Sequence, residues 1–234
     1  MDSYRKVALV TGALFIIATA ASLAGTAAET SVLTGAGYLA RVAGNIERVS
    51  LGALLELIAA GTSAGIALAL YPVLTRWDPG LARGSVVFRA IEAVMYAVGA
   101  LSLLSLVQVG RQFVTASTTQ AASVQAAGDA FLVLRQEAVL AGVFAFVVGA
   151  LLYYVVLLRS GLVPGWLAGW GIAGVALMLV ACLGALFSGS PVTDYALLAL
   201  PIAVQEMVLA VWLLARGFRV AAVRAERSVD AAAA

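Results

Sequence analysis

Six runs of about twenty apolar residues recur along this 234-residue chain, and they fix the class of structure it can adopt. Hydrocarbon about 30 Å thick is crossed by an α-helix of roughly that length. Within lipid, only helices and closed β-barrels satisfy every backbone N–H and C=O. A barrel would show strands of about ten residues with strict apolar/polar alternation, and no stretch of this sequence alternates that way. The sequence therefore predicts an all-α polytopic membrane protein, a six-transmembrane-helix bundle. The spans are read as Val7 to Ala28, Val49 to Tyr71, Val86 to Gln108, Phe131 to Leu158, Trp166 to Phe187 and Tyr195 to Ala215. A composition 63% hydrophobic and 11% charged agrees, since soluble domains are far more polar. The first run is expected to be a retained helix, because Val7 to Ala24 is longer than the core of a cleaved leader.

Basic residues set the expected orientation. With the N-terminus inside, Arg5, Lys6, Arg76, Arg83, Arg159, Arg216, Arg219, Arg224 and Arg227 are cytoplasmic, against Arg41, Arg48 and Arg111 outside. That is the bias of the positive-inside rule, so both termini are expected to be cytoplasmic. Residues 1–218 then form one membrane domain, and 219–234 a basic, flexible cytoplasmic tail. The tail either rests on anionic headgroups or is simply frayed. Thirteen arginines against one lysine, with abundant alanine, suit a GC-rich bacterial genome. The expected location is the bacterial cytoplasmic (inner) membrane.

Missing residues narrow the chemistry. No histidine is present, which removes histidine-ligated haem or zinc and histidine acid/base catalysis. The one cysteine, Cys182, lies inside an apolar span and reads as a small buried residue. The one lysine, Lys6, precedes the first helix, so no Schiff base can form in mid-membrane. Gly61 with Gly65, and Gly165 with Gly169, read as helix-packing surfaces. No cofactor, metal or nucleic-acid partner is implied. The lipid bilayer is the expected partner, with a small-molecule ligand as the further candidate; oligomeric state is not legible.

Four glutamates, Glu56, Glu92, Glu137 and Glu206, interrupt the apolar runs. A carboxylate near the bilayer centre costs a few kcal/mol on insertion scales, so it is paired, neutralised or used. Arg89, Glu92 and Tyr96 share one face of span three, being three and four residues apart. Glu56 lies about 10 Å below the outer end of span two, and Glu206 about 16 Å into span six, near the midplane. Arg135 and Glu137 open span four and point different ways. Pro201 and Gln205 accompany Glu206, and the proline frees a carbonyl one turn earlier. Two pairs are expected, Glu56 with Arg135 and Glu92 with Arg89. Glu206 has no arginine at its depth and must be neutral or held by a substrate cation. Polar faces of spans two, three, four and six are expected to turn inward, leaving spans one and five peripheral. The outer stretches Glu29 to Arg48 and Val109 to Ala130 read as long loops.

The run Gly52-Ala-Leu-Leu-Glu56-Leu-Ile, then Ala69-Leu-Tyr-Pro-Val-Leu74, Phe88-Arg-Ala-Ile-Glu92 and Leu101-Ser-Leu-Leu-Ser-Leu106, is followed by Leu162-Val-Pro-Gly-Trp-Leu167. Leu200-Pro-Ile-Ala-Val-Gln-Glu206 and Trp212-Leu-Leu-Ala-Arg-Gly-Phe218 complete the series. From Val7 to Phe218 the chain resembles the bacterial membrane family named domain of unknown function (DUF) 4386. The resemblance implies an integral membrane protein of about six helices. Glu56, Arg89, Glu92, Gln205 and Glu206 match the family's characteristic polar positions, and the resemblance assigns them no roles.

Three readings of function follow. The first is binding, with translocation as an extension, of a small cationic or amphipathic molecule in a cavity centred on Glu206. Glu56, Arg89, Glu92, Tyr96, Arg135, Glu137, Gln205 and Glu206 would line the site or relay protons. The second is a non-catalytic structural or regulatory subunit whose charges only pair helices. The third, a carboxylate-only enzyme acting on lipid, needs two carboxyl groups within reach beside a lateral opening; the residues point away from an enzyme.

Overall fold

The computed structural model describes residues 3–219. Helix α1 (Ser3–Leu33) is followed by the short α2 (Tyr38–Gly44), then α3 (Ile46–Leu74), α4 (Pro79–Thr115), α5 (Thr118–Ser160) and α6 (Gly165–Ser188). A 3₁₀ turn (Val192–Tyr195) leads into α7 (Ala196–Ala215). Among the described residues there is no strand, and six helices are long and apolar enough to cross a membrane. The protein is an all-α, multi-pass membrane bundle. Six crossings put Ser3 and Arg219 at the same end of the bundle, called here the terminal end. The expected tail lies outside the described residues except for Arg219, whose N–H donates to Leu162 O at 2.8 Å.

Local chemistry explains where the helices stop. Asp78 caps α4 by accepting from the N–H groups of Gly80 (3.0 Å) and Leu81 (2.9 Å), and Pro79 fills the first helical position, where no donor is missed. The junction at Pro164 and Gly165 works differently: α5 ends on Gly161 at φ 65°, and Pro164 itself is the N-cap of α6. Only a residue without a Cβ adopts that left-handed φ without strain. The stretch Val109 to Ala130, expected as a loop, is helical apart from Ala116 and Ser117. Ser117 restarts the helix, its N–H donating to the Gln120 side-chain oxygen at 3.3 Å. Small and polar residues suggest a loop there, yet alanine and glutamine favour helix.

Two arginines close exposed helix ends. Arg41 donates to the last carbonyls of α1 and the turn after it, through Nε to Val32 O at 3.2 Å and through Nη1 to Ala36 O at 2.7 Å. Arg5 does the same for α7, with Nη2 on Leu214 O at 2.7 Å. Each places a cation where the helix dipole is negative.

The apolar interior divides by depth. Phe15, Tyr153, Tyr154, Leu70, Leu157, Leu167 and Leu209 pack at the terminal end, from α1, α3, α5, α6 and α7. Leu39, Val42, Val49, Leu103 and Leu106 pack at the far end, from α2, α3 and α4. Spans one and six are the least buried of the six, so span one is peripheral as expected and span six shares that place. Helix α1 packs extensively on α3 and against α7, with Gly25 close against Leu55 and Gly52. The glycines expected to form packing surfaces do not all do so: a Cβ on Gly61 or Gly169 would meet nothing within 4 Å. Close approaches occur instead at Gly99, Gly142 and Gly149, where polar side chains need the room.

Candidate functional site

The eight residues singled out in the sequence form two layers and one outlier. In the upper layer, Arg135 on α5 reaches across the bundle, its Nη2 donating to Glu29 Oε1 on α1 and its Nη1 to Glu56 Oε1 on α3 at 3.4 Å. Gly99 on α4 makes that possible, because a Cβ there would lie 2.8 Å from Glu56 Oε1. The Glu56–Arg135 pair expected from depth is present, and it is one arm of a triad whose other carboxylate is Glu29. Glu29 lies beyond the expected end of span one, where it read as the start of a loop. Helix α1 continues to Leu33 and carries it into the bundle, 6% exposed. A signal was available: Ser22, Gly25, Thr26 and Glu29 are spaced as one face of a helix.

The lower layer is crowded. Ser63 Oγ donates to Glu92 Oε1 at 2.7 Å, and Arg89 Nη1 lies 3.0 Å from Glu92 Oε2 without the alignment of a hydrogen bond. Arg89 also stands over the Phe146 ring, 4.9 Å from its centroid, a cation–π contact strengthened by exclusion of water. Gly149 leaves space for its stem, since a Cβ would sit 3.0 Å from Arg89 Cγ. Beside it Tyr153 donates to Glu206 Oε1 at 3.3 Å. Tyr154 donates to Gln205 Oε1, whose amide donates to Leu167 O at 2.9 Å. Glu206 is thus held by a phenol from α5. Glu137 is the outlier: it is exposed on α5 and makes no hydrogen bond or ion pair with the described residues.

A cavity of about 770 Å³ lies above the lower layer. Glu29, Glu56, Arg135 and Gln136 supply its polar wall, Asp194 stands among the lining residues from the 3₁₀ turn, and Tyr96 forms part of the floor. Val139, Val143 and Met178 make an apolar wall. Glu92 and Glu206 are not among its lining residues, so this cavity is not centred on Glu206. Helices α1 and α7 meet near the terminal end, where Gly12 faces Ala210 O. Toward the far end they part, and Ser22, Thr26 and Thr30 on one side and Ala196 and Ala199 on the other wall the cavity. Helices α1 and α5 do not pack along their lengths. They are bridged by Phe15 against Tyr153 below and by Glu29 with Arg135 above.

The electrostatics are unbalanced. Three carboxylates line the cavity against one guanidinium. Glu29 Oε2 and Glu56 Oε2 are buried and accept no hydrogen bond, although a buried charged oxygen left unpaired costs about 1–3 kcal/mol or more. Among the described residues no cluster of His, Cys, Asp or Glu is placed to hold a metal ion.

No curated protein and no solved structure matches the chain. Residues 10–217 match the family described as domain of unknown function (DUF4386), which covers every span and both polar layers, and the chain belongs to that family.

Proposed function

We propose that this protein binds a small molecule carrying a protonated amine in the cavity between α1, α5 and α7, in the cytoplasmic membrane of a bacterium. The observation that supports this most directly is the excess of carboxylates along the cavity, Glu29, Glu56 and Asp194 against the single guanidinium of Arg135, with Glu29 Oε2 and Glu56 Oε2 lacking a donor just behind its wall. An ammonium group supplies both the missing donors and the missing positive charge. Arg135 is the internal competitor, already holding the other oxygen of each carboxylate. Translocation would require the Arg89–Glu92 layer below the floor to open.

The lower layer favours a second role for its own residues. Each glutamate there, Glu92 and Glu206, has a hydroxyl or guanidinium partner, as expected if charges only pair helices. We read that layer as structural and the upper one as the binding site. A carboxylate-only enzyme is disfavoured, because acid and base need unlike environments, whereas Glu29 and Glu56 share one guanidinium.

Native mass spectrometry of the protein extracted gently from its own membrane tests the reading. A reproducible small basic mass is expected, lost when Glu29 and Glu56 are both replaced by glutamine and retained in Glu206→Gln. A mass that survives the double replacement, or protein free of any ligand, overturns it.

A further inference from the structure

The cavity has the polarity of the leaflet around it. Its charged end, at Glu29, Glu56 and Arg135, lies toward the far end of the bundle, and its apolar wall lies deeper. From Arg135 to Val143 along α5 is about 12 Å, and from Glu29 to Ser22 along α1 about 10 Å, at 1.5 Å per residue. Over that depth the walls change from carboxylates and guanidinium to Ala59, Val139, Val143 and Met178. A polar head at the interface with an apolar tail toward the midplane is the arrangement of a lipid.

The side walls point the same way. Small residues line the parting between α1 and α7: Ser22 and Gly25 on one side, Ala196 and Ala199 on the other. Their sequence neighbours Leu23, Leu197 and Leu200 are 65%, 85% and 57% exposed. Large apolar side chains that exposed, on a helix crossing lipid, face hydrocarbon. The gap they frame therefore faces the bilayer.

We infer that the ligand is a single-tailed amphiphile with a primary ammonium head, entering sideways from the bilayer between α1 and α7, its tail resting on Val139, Val143 and Met178. This rests on the amine-binding reading above and adds the tail and the route. A primary ammonium is specified because the carboxylates of Glu29 and Glu56 accept hydrogen bonds, which a quaternary ammonium cannot donate.

The full-length protein in maltoside micelles is titrated with decylamine, propylamine, decyltrimethylammonium and decyl sulfate, and occupancy is read by native mass spectrometry. One decylamine per chain is expected, with weaker binding of the other three. Replacing Glu29 and Glu56 by glutamine should weaken decylamine binding by at least about tenfold, the worth of a charge-assisted hydrogen bond. Ala199→Trp, which fills the gap and leaves the carboxylates in place, should slow decylamine uptake from liposomes containing it. Propylamine binding as tightly as decylamine, with no effect of Ala199→Trp, overturns the tail and the lateral route while leaving the amine site standing. Decyltrimethylammonium or decyl sulfate binding equally well overturns the hydrogen-bonded head. Failure of every amine overturns both readings, and circular dichroism of each variant separates a lost site from a lost fold.

Discussion

Arg89 and Glu92 are 2% and 3% exposed and lie one helical turn apart on α4. Removing one charge from such a pair strands the other, at about 3–5 kcal/mol, whereas replacing both with apolar residues is often neutral. Arg89→Leu should therefore lower the thermal unfolding temperature in micelles markedly, and Arg89→Leu with Glu92→Leu should recover most of the loss. Equal destabilisation by the single and double replacements would show that the pair is not what holds this layer. This pair was legible because an i,i+3 spacing forces contact whatever the tertiary packing. Glu56 with Arg135 was legible from depth alone. Glu29 was not, because a carboxylate at the edge of an apolar run is equally compatible with a loop, and only packing decides. Tyr153 was equally hidden, since a tyrosine in an apolar run declares no partner.

Short α2 depends on the far ends of α4 and α5. A Cβ on Gly110 would lie 3.1 Å from Leu39 O, and one on Gly128 would lie 2.7 Å from the Tyr38 hydroxyl. Tyr38 donates to Asp129 Oδ1 at 2.8 Å. Gly128→Ala should overpack this contact, at about 1–3 kcal/mol, and release α2. Arg41, otherwise occupied with the carbonyls ending α1, then becomes a site for trypsin, so faster cleavage after Arg41 is the readout. Unchanged cleavage would mean that α2 holds without this contact. The same dock should respond to alkali. Burial, and then the Asp129 hydrogen bond, push the Tyr38 phenol above its ordinary range near 10. The docked state favours the neutral phenol, so docking is complete below about pH 10 and weakens as pH rises above that. Tyr38→Phe should lose that pH dependence. None of this was visible in the sequence, where 29–48 and 109–130 lacked the apolar periodicity that announces a packed element; the contacts depend on two glycines brought together by helices far apart in the chain.

At the scale of the whole molecule, helix lengths and charge placement decide which compartment the cavity adjoins. At 1.5 Å per residue the 37 residues of α4 and the 43 of α5 extend about 55 and 65 Å, well beyond about 30 Å of hydrocarbon. Much of the excess lies at the far end, where α2 packs on the protruding hairpin and the carboxylates line the cavity. Six crossings and the number of spans were legible, because each apolar run is independently long enough; the depth of the cavity was not, because it depends on how far α1 and α7 part. The basic bias read from the sequence predicts a cytoplasmic terminal end, with the cavity toward the exterior leaflet. Cysteine labelling tests this on a quiet background, since Cys182 is fully buried. Thr118→Cys, at the exposed start of α5, should react with a membrane-impermeant maleimide in intact cells. Trp77→Cys, in the exposed turn between α3 and α4, should react only after permeabilisation. The reverse pattern would put both termini outside and the cavity against the inner leaflet, and an amphiphilic amine would then be drawn from the cytoplasmic side.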